Sequence, residues 1–186
     1  MDSFNNYIVD SKQLITNVVN IKNSLDANTK LCAVVKADAY GLGLDAICKI
    51  IAPYVDYFAV ACVKEAKQIR SFNQYMPILI LSTIPKNCYM WCAANNVTVT
   101  ISSIEDLKYI ENNINSKIKV HIALNTGLNR IGVSQTKLLK QMIQYIDQSQ
   151  NIELEGIFSH FATKQNDVVY FFAWFAQKKC ENHTVG

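Results

Sequence analysis

The sequence LCAVVKADAYGLG at residues 31–43 joins a short apolar run, a lysine and a turn that contains two glycines. The run at 31–35 is rich in valine and alanine, which is typical of a parallel strand buried on both faces. Lys36 follows it directly, so its amine lies where the strand ends. Parallel α/β folds place their active sites at the carboxyl ends of strands. The stretch therefore predicts the first strand of such a fold, with a lysine in position for chemistry.

Five further apolar runs follow this one, and patterns with helical spacing separate them. The runs lie at residues 57–61, 78–81, 97–101, 119–123 and 154–158. A helix is also predicted before the first strand, from about Ser11 to Leu25, and Ser103 with Asp106 indicates a capped helix start. Repeated alternation of strand and helix predicts a parallel α/β fold, either an open doubly wound sheet or a (β/α)8 barrel. A complete barrel needs eight strands, so we expect an incomplete TIM-type barrel of about six parallel strands, forming one domain over residues 1–186.

The composition excludes some functions. A formal net charge of +3 without a basic block argues against binding to nucleic acid or to an anionic membrane. The first residues lack the pattern of an export signal, and no apolar run is long enough for a membrane span. We therefore expect a cytoplasmic protein with reduced cysteines. Cys88 and Cys92 together with Cys180 and His183 could mimic a zinc site, but neither pair has the spacing of a zinc knuckle.

The glycines after Lys36 allow a second interpretation. Gly41, Gly43 and Ala46 fit a loose G-x-G-x-x-A pattern, and Asp56 follows, as in a dinucleotide-binding fold. However, five residues separate the strand from the first glycine, whereas the dinucleotide pattern requires a tight turn there. A lysine that is partly desolvated at a strand end can instead form a Schiff base with an aldehyde cofactor.

Two later segments place further polar groups at predicted strand ends. The sequence VHIALNTGLNRIG at 120–132 runs from a strand into a turn that presents Arg130, whose guanidinium can bind a phosphate, a carboxylate or a phenolate. The sequence GIFSHFAT at 156–163 places His160 at the end of the last predicted strand. In a barrel the carboxyl ends of all strands share one face, so Lys36, Arg130 and His160 are expected to converge.

Three segments of the chain resemble motifs of the alanine racemase family. Residues 33–43 resemble its pyridoxal-phosphate motif A-V-V-K-A-[ND]-A-Y-G-H-G, residues 125–132 resemble D-T-G-M-x-R-[LI]-G, and residues 156–163 resemble the stretch G-[IL]-[FY]-[ST]-H-F-A. The resemblance implies a (β/α)8 barrel that a β-rich domain follows. It also implies a homodimer that uses pyridoxal 5'-phosphate to interconvert L-alanine and D-alanine for the bacterial cell wall. Serine and lysine racemases share the first motif.

The resemblance also assigns roles to individual residues. Lys36 would hold the cofactor through a Schiff base and act as the base on one face of the substrate α-carbon. Tyr40 would hydrogen-bond the cofactor phosphate, and Leu81 would line the pocket. Arg130 would contact the phenolic oxygen and the substrate carboxylate, and His160 would pack near the ring.

The chain departs from the family pattern at several positions. Leu42 replaces a histidine, Asn125 replaces an aspartate, and Ala123 stands where many members have a lysine that can be carbamylated to orient the arginine. The last two barrel strands and the β-rich domain, which carries the opposite-face tyrosine, have no counterpart in the sequence. We therefore expect this chain alone to racemise poorly or not at all. A non-catalytic fragment or carrier that binds pyridoxal phosphate is the alternative.

Overall fold

The computed structural model describes residues 7–161, and these residues form one sheet flanked by helices. The strands are β1 (Cys32–Val34), β2 (Tyr57–Val60), β3 (Ile78–Ile80), β4 (Val97–Ile101), β5 (Ile118–Leu124) and β6 (Ile152–Ser159). The helices are α1 (Ser11–Asn23), α2 (Lys36–Tyr40), α3 (Leu44–Ile51), α4 (Val63–Phe72), α5 (Tyr89–Ala94), α6 (Ile104–Asn113) and α7 (Thr136–Gln148), and 3-10 turns cover Ala52–Tyr54 and Lys86–Cys88.

The order of the strands decides between the two predicted architectures. The six strands pair in parallel and follow one another in chain order across the sheet. Right-handed crossovers that all advance in one direction place the helices on one face, as in a (β/α) barrel. A doubly wound sheet would instead reverse its strand order at a switch point. Over residues 7–161 the sheet is not closed, so the incomplete TIM-type barrel is confirmed and the doubly wound sheet is wrong.

The two faces of the sheet differ in chemistry because successive side chains along a strand point to opposite sides. On the helix side, Phe58, Val99 and Ile122 are fully buried in an apolar core shared with the helices. The opposite side carries polar groups, including Thr98 and His121, which hydrogen-bond or pair with groups from other strands. The helix-facing residues stabilise the fold, whereas the other face forms the interior of the incomplete barrel.

The predicted strands and helices lie at their expected places, with ends that shift by a few residues. Ser103 caps α6 as predicted, because its hydroxyl accepts a hydrogen bond from the N–H of Asp106 at 3.2 Å. The expectation of fully buried strands is wrong for β1 and β6. Each has a paired neighbour on only one side within the described sheet, so Val34 remains 41% exposed.

The position of Asp56 excludes the dinucleotide-binding interpretation. Its carboxylate accepts hydrogen bonds from the N–H of Leu31 at 2.8 Å and from Nζ of Lys22 at 3.0 Å. These contacts hold it immediately before β1 and β2, at their amino ends. Gly41 and Gly43 follow the carboxyl end of β1, so the acidic residue and the glycines lie at opposite edges of the sheet.

Within residues 7–161, the clustering of ligand side chains bears on a metal site, and the length and apolar character of the helices bear on a membrane span. Within residues 7–161 no three His, Cys, Asp or Glu side chains form a metal-binding group. Burial raises the pKa of the Cys92 thiol to about 12. Cys180 and His183 lie outside the described residues. None of the helices in the described part has the length and apolar character needed to cross a bilayer.

A polar cluster inside the barrel centres on the Glu155 carboxylate. A β-bulge between β5 and β6 leaves Glu155 unpaired between the pairs Val120–Leu154 and His121–Gly156. Burial alone would raise the pKa of Glu155, but side-chain hydrogen bonds lower it well below its usual range. The groups responsible are His121, Tyr57, Thr98 and Lys119. The charged form of the carboxylate is therefore part of the folded structure.

Glu155→Gln is expected to lower the free energy of unfolding at pH 7 by about 2 kcal/mol, because charge-assisted hydrogen bonds are lost. The contribution of Glu155 is complete above its unfolded pKa, near the ordinary value of 4.5, and disappears as the pH falls towards the lowered folded pKa. Denaturant titrations at pH 7 and about pH 3 measure this difference. The exposed Glu153→Gln in the same strand is the control. A difference that does not shrink in acid would contradict the assignment.

Candidate active site

Lys36 begins an unusual turn at the carboxyl end of β1. The N–H of Val35 donates to the carbonyl of Ala59 at 2.8 Å and extends the pairing with β2 to the residue before the lysine. The next four residues, 37–40, all have φ between 52° and 58° and form a left-handed helical turn. Such a conformation costs roughly 1–2 kcal/mol per non-glycine residue, so the surrounding contacts must hold it. The side chain of Lys36 is half-buried there.

The left-handed turn is held by hydrogen bonds within it and by a hydrogen bond to the start of α3. Within it, the N–H of Ala39 donates to the carbonyl of Val35 at 3.0 Å. On the far side, the Asp38 carboxylate accepts from the N–H of Leu44 at 2.7 Å and caps α3, for which Gly43 provides no side chain. The turn therefore joins β1 to α3 as one hydrogen-bonded unit.

The loop that carries Arg130 is closed by backbone pairing. The N–H of Asn125 donates to the carbonyl of Val133 at 3.0 Å, and the N–H of Val133 donates to the carbonyl of Ala123 at 2.9 Å. Inside the loop, the Asn125 side-chain oxygen accepts from the N–H groups of Gly127 and Asn129. Asn125, which stands where the resembled motif has an aspartate, therefore stabilises the loop through hydrogen bonds of both its backbone and its side chain.

Arg130 and His160 lie on one shallow, open depression at the carboxyl ends of β5 and β6. Both side chains are exposed at its rim. The depression is lined by Ala123, Leu124, Asn125, Leu128, Arg130, Ile131, Phe158 and His160. A hydrogen bond of 2.6 Å between the hydroxyls of Thr126 and Ser159 ties the loop to the end of β6. The site thus offers a cation and an imidazole above an apolar wall.

The other predicted site residues occupy the same edge but not this depression. Leu81 follows β3, and its N–H donates to the carbonyl of Val60 at 2.8 Å. Tyr40 ends the left-handed turn with 63% of its surface exposed. Lys36 and Tyr40 are not among the residues that line the depression. Parallel pairing places all five predicted site residues at the carboxyl edge of the sheet. Of these five, only Arg130 and His160 line the same depression.

Two substitutions relative to the family motifs change the surroundings of the site. Ala123 carries only a methyl group and is buried, so the side chain at this position does not hold the guanidinium of Arg130. Leu42 is 45% exposed in the loop between the left-handed turn and α3. Arg130 is therefore positioned by the backbone of its own loop rather than by a neighbouring charged side chain at residue 123.

Sequence reasoning missed Glu65, whose carboxylate contacts the backbone beside Lys36. Its Oε1 accepts from the N–H of Ala37 at 2.7 Å. An acidic residue in the first turn of a helix is a common capping feature, which was the signal available in the sequence. The contact partner lies 28 residues earlier, so the sequence alone did not reveal it.

Comparisons with known proteins agree with this geometry. The family model described as alanine racemase, N-terminal domain, matches residues 9–181. Alanine racemase 2 of Caldanaerobacter subterraneus subsp. tengcongensis is 36% identical over 159 residues, covering 83% of this chain and 41% of that protein. The solved alanine racemase of Clostridium difficile 630 in complex with cycloserine superimposes with a TM-score of 0.82 at 32% identity, covering 94% of this chain and 51% of that one.

A histidine racemase from Leuconostoc mesenteroides subsp. sake also matches, with a TM-score of 0.78 at 26% identity, covering 87% of this chain and 45% of that one. The chain spans about two fifths of the length of the curated relatives it matches. The match of the family model extends over most of the chain and agrees with the sequential parallel sheet. The chain belongs to the family of the alanine racemase N-terminal domain.

Proposed function

We propose that this chain provides the cofactor-binding barrel of an alanine racemase, with pyridoxal 5'-phosphate attached to Lys36. The observation that carries the proposal is the position of this amine. It follows β1 at the carboxyl edge of a parallel sheet, the same edge at which Arg130 and His160 share a depression. In folds of this type that edge is where catalytic groups are placed.

The donor set at this edge fits such a cofactor. A primary amine can form an imine with an aldehyde, and a guanidinium pairs with phenolate or carboxylate oxygens. The depression combines apolar side chains such as Phe158 with the polar groups of Arg130 and His160. An aromatic ring with charged substituents requires this combination. Tyr40 and Leu81 lie at the same edge and are proposed to contact the phosphate and the ring, respectively.

When bound, the cofactor supplies an electron sink for the carbanion that forms when the substrate α-proton is removed. Lys36 is proposed to take up and return a proton at Nζ on one face of the substrate α-carbon. Arg130 is proposed to hold the substrate carboxylate, and His160 to pack beside the ring. Racemisation needs a proton-transfer group on each face of the α-carbon, and Lys36 serves one of them.

Alanine is the proposed substrate, and supply of D-alanine for peptidoglycan is the proposed role. The names of the curated relatives support this choice, since several are alanine racemases. The histidine racemase among the structural matches means that the fold by itself does not select alanine. A homodimer, a cytoplasmic location and the organisation of residues 1–186 as a single partial domain stay predictions.

The test is exchange of the α-hydrogen of alanine in deuterated water, because this step needs a base on only one face. Protein with pyridoxal phosphate is expected to incorporate deuterium into L-alanine, and Lys36→Ala is expected to do so only at the level of free cofactor. Mass spectrometry of the amino acid measures the exchange, with serine, lysine and histidine as competing substrates. A non-catalytic carrier would bind the cofactor without exchange, and that result would overturn the proposal.

A further inference from the structure

The Glu65 carboxylate bridges the ends of two neighbouring strands. Its Oε1 accepts from the N–H of Ala37 at 2.7 Å, directly after Lys36. Its Oε2 accepts from the N–H of Ala61 at 2.8 Å, directly after β2. Glu65 is half-buried in the first turn of α4, so a single side chain from this helix connects the exits of β1 and β2.

The contact with Ala37 fixes the peptide group that joins this residue to Lys36. That peptide is where the extended β1 changes to the left-handed turn of residues 37–40. Four consecutive non-glycine residues at positive φ are intrinsically unfavourable, so the turn depends on outside contacts. A hydrogen bond at its first N–H restricts both the start of the turn and the direction of the lysine side chain.

The geometry requires a carboxylate in particular. Two backbone N–H donors face the two oxygens of Glu65, and both bonds are charge-assisted. A glutamine has one oxygen and one NH2 group, so at least one N–H would face another donor. An acid that served only the dipole of α4 would need neither contact, because its charge alone would suffice.

We propose that Glu65 is a positioning residue for Lys36, which it holds in place through the N–H of Ala37. Glu65 does not touch the reacting atoms and acts only through the backbone. The functional part of this inference rests on the proposed role of Lys36 as the site of cofactor attachment. The structural part concerns Ala37 alone and is testable without any cofactor.

The test compares Glu65→Gln with Glu105→Gln, which removes the same charge from an exposed position in the first turn of α6. Amide hydrogen exchange, read by NMR, is expected to accelerate at Ala37 by at least about tenfold in Glu65→Gln, the size of one lost charge-assisted hydrogen bond. Exchange at Ala37 is expected to stay unchanged in Glu105→Gln. Unchanged exchange at Ala37 in Glu65→Gln would overturn the proposal.

The second readout is the rate at which pyridoxal phosphate attaches to Lys36, trapped with borohydride. It is expected to fall in Glu65→Gln but not in Ile110→Val, a core substitution that lowers stability without touching the turn. Equal attachment rates in Glu65→Gln and Ile110→Val would overturn the positioning role.

Should Glu65→Gln fail to fold, Glu65→Asp, which keeps the charge but is one methylene shorter, is expected to show the same changes. Absence of attachment in the wild-type chain would contradict the proposed function, while exchange at Ala37 would still decide the role of Glu65.

Discussion

Arg70→Met is expected to lower the free energy of unfolding by about 4 kcal/mol, because buried backbone carbonyls lose the guanidinium that donates hydrogen bonds to them. Arg70 lies in α4 and is only 4% exposed. Its guanidinium donates four hydrogen bonds of 2.7 to 3.1 Å, all to backbone carbonyls. The acceptors are Asn73, Met76, Asn95 and Asn96. The end of α4 and the end of α5 are thereby held together before β3 and β4.

Urea titrations of the wild type and the variant measure this loss. The matched control is Lys64→Met, which removes a cation from an exposed position of the same helix. Its effect is expected to stay within about 0.5 kcal/mol. If the two variants lost the same stability, the hydrogen bonds of Arg70 to the carbonyls would contribute nothing beyond charge.

Gly132→Ala is expected to cost about 3 kcal/mol and to displace the loop that carries Arg130. Gly132 has φ +116°, and a Cβ built on it would lie 2.7 Å from the backbone nitrogen of Asn125 and from the carbonyl carbon of Leu124. Both neighbours are main-chain atoms, so neither can rotate away. The pairing of Asn125 with Val133 must therefore open.

Thermal or denaturant unfolding gives the stability change, and NMR shifts of the 125–133 amides report the loop. The control is Gly41→Ala, because Gly41 also has positive φ (+85°) but open space where a Cβ would lie. That variant is expected to lose only about 1 kcal/mol, from the backbone conformation alone. Equal losses of stability in the two variants would show that the short distance between a Cβ at residue 132 and the backbone of Leu124 and Asn125 does not destabilise the protein.

The strands and the edge that carries the site could be predicted from the sequence, since buried parallel strands leave clear apolar runs. The position of Lys36 after the first run was enough to place it at the carboxyl edge, and the same holds for His160 after the last. The apolar runs locate each strand end to within a few residues, and parallel pairing then brings those ends to one side of the sheet. This logic does not depend on details of the loops.

The local structure around the lysine could not be predicted in the same way. Alanine and tyrosine at residues 37, 39 and 40 do not favour the left-handed conformation, and Asp38 is the one residue of the turn whose type adopts it occasionally. The contact that supports them comes from Glu65, far along the chain. Likewise, the bulge that turns Glu155 into the barrel interior lies within a stretch that looks like an ordinary strand.

The most direct test of cofactor attachment is chemical. The chain is incubated with pyridoxal phosphate, reduced with borohydride and digested, and the labelled peptide is identified by mass spectrometry. We expect the label on the peptide that contains Lys36 and its disappearance in Lys36→Ala. A label on a different lysine, or one that persists in Lys36→Ala, would contradict the assignment of Lys36.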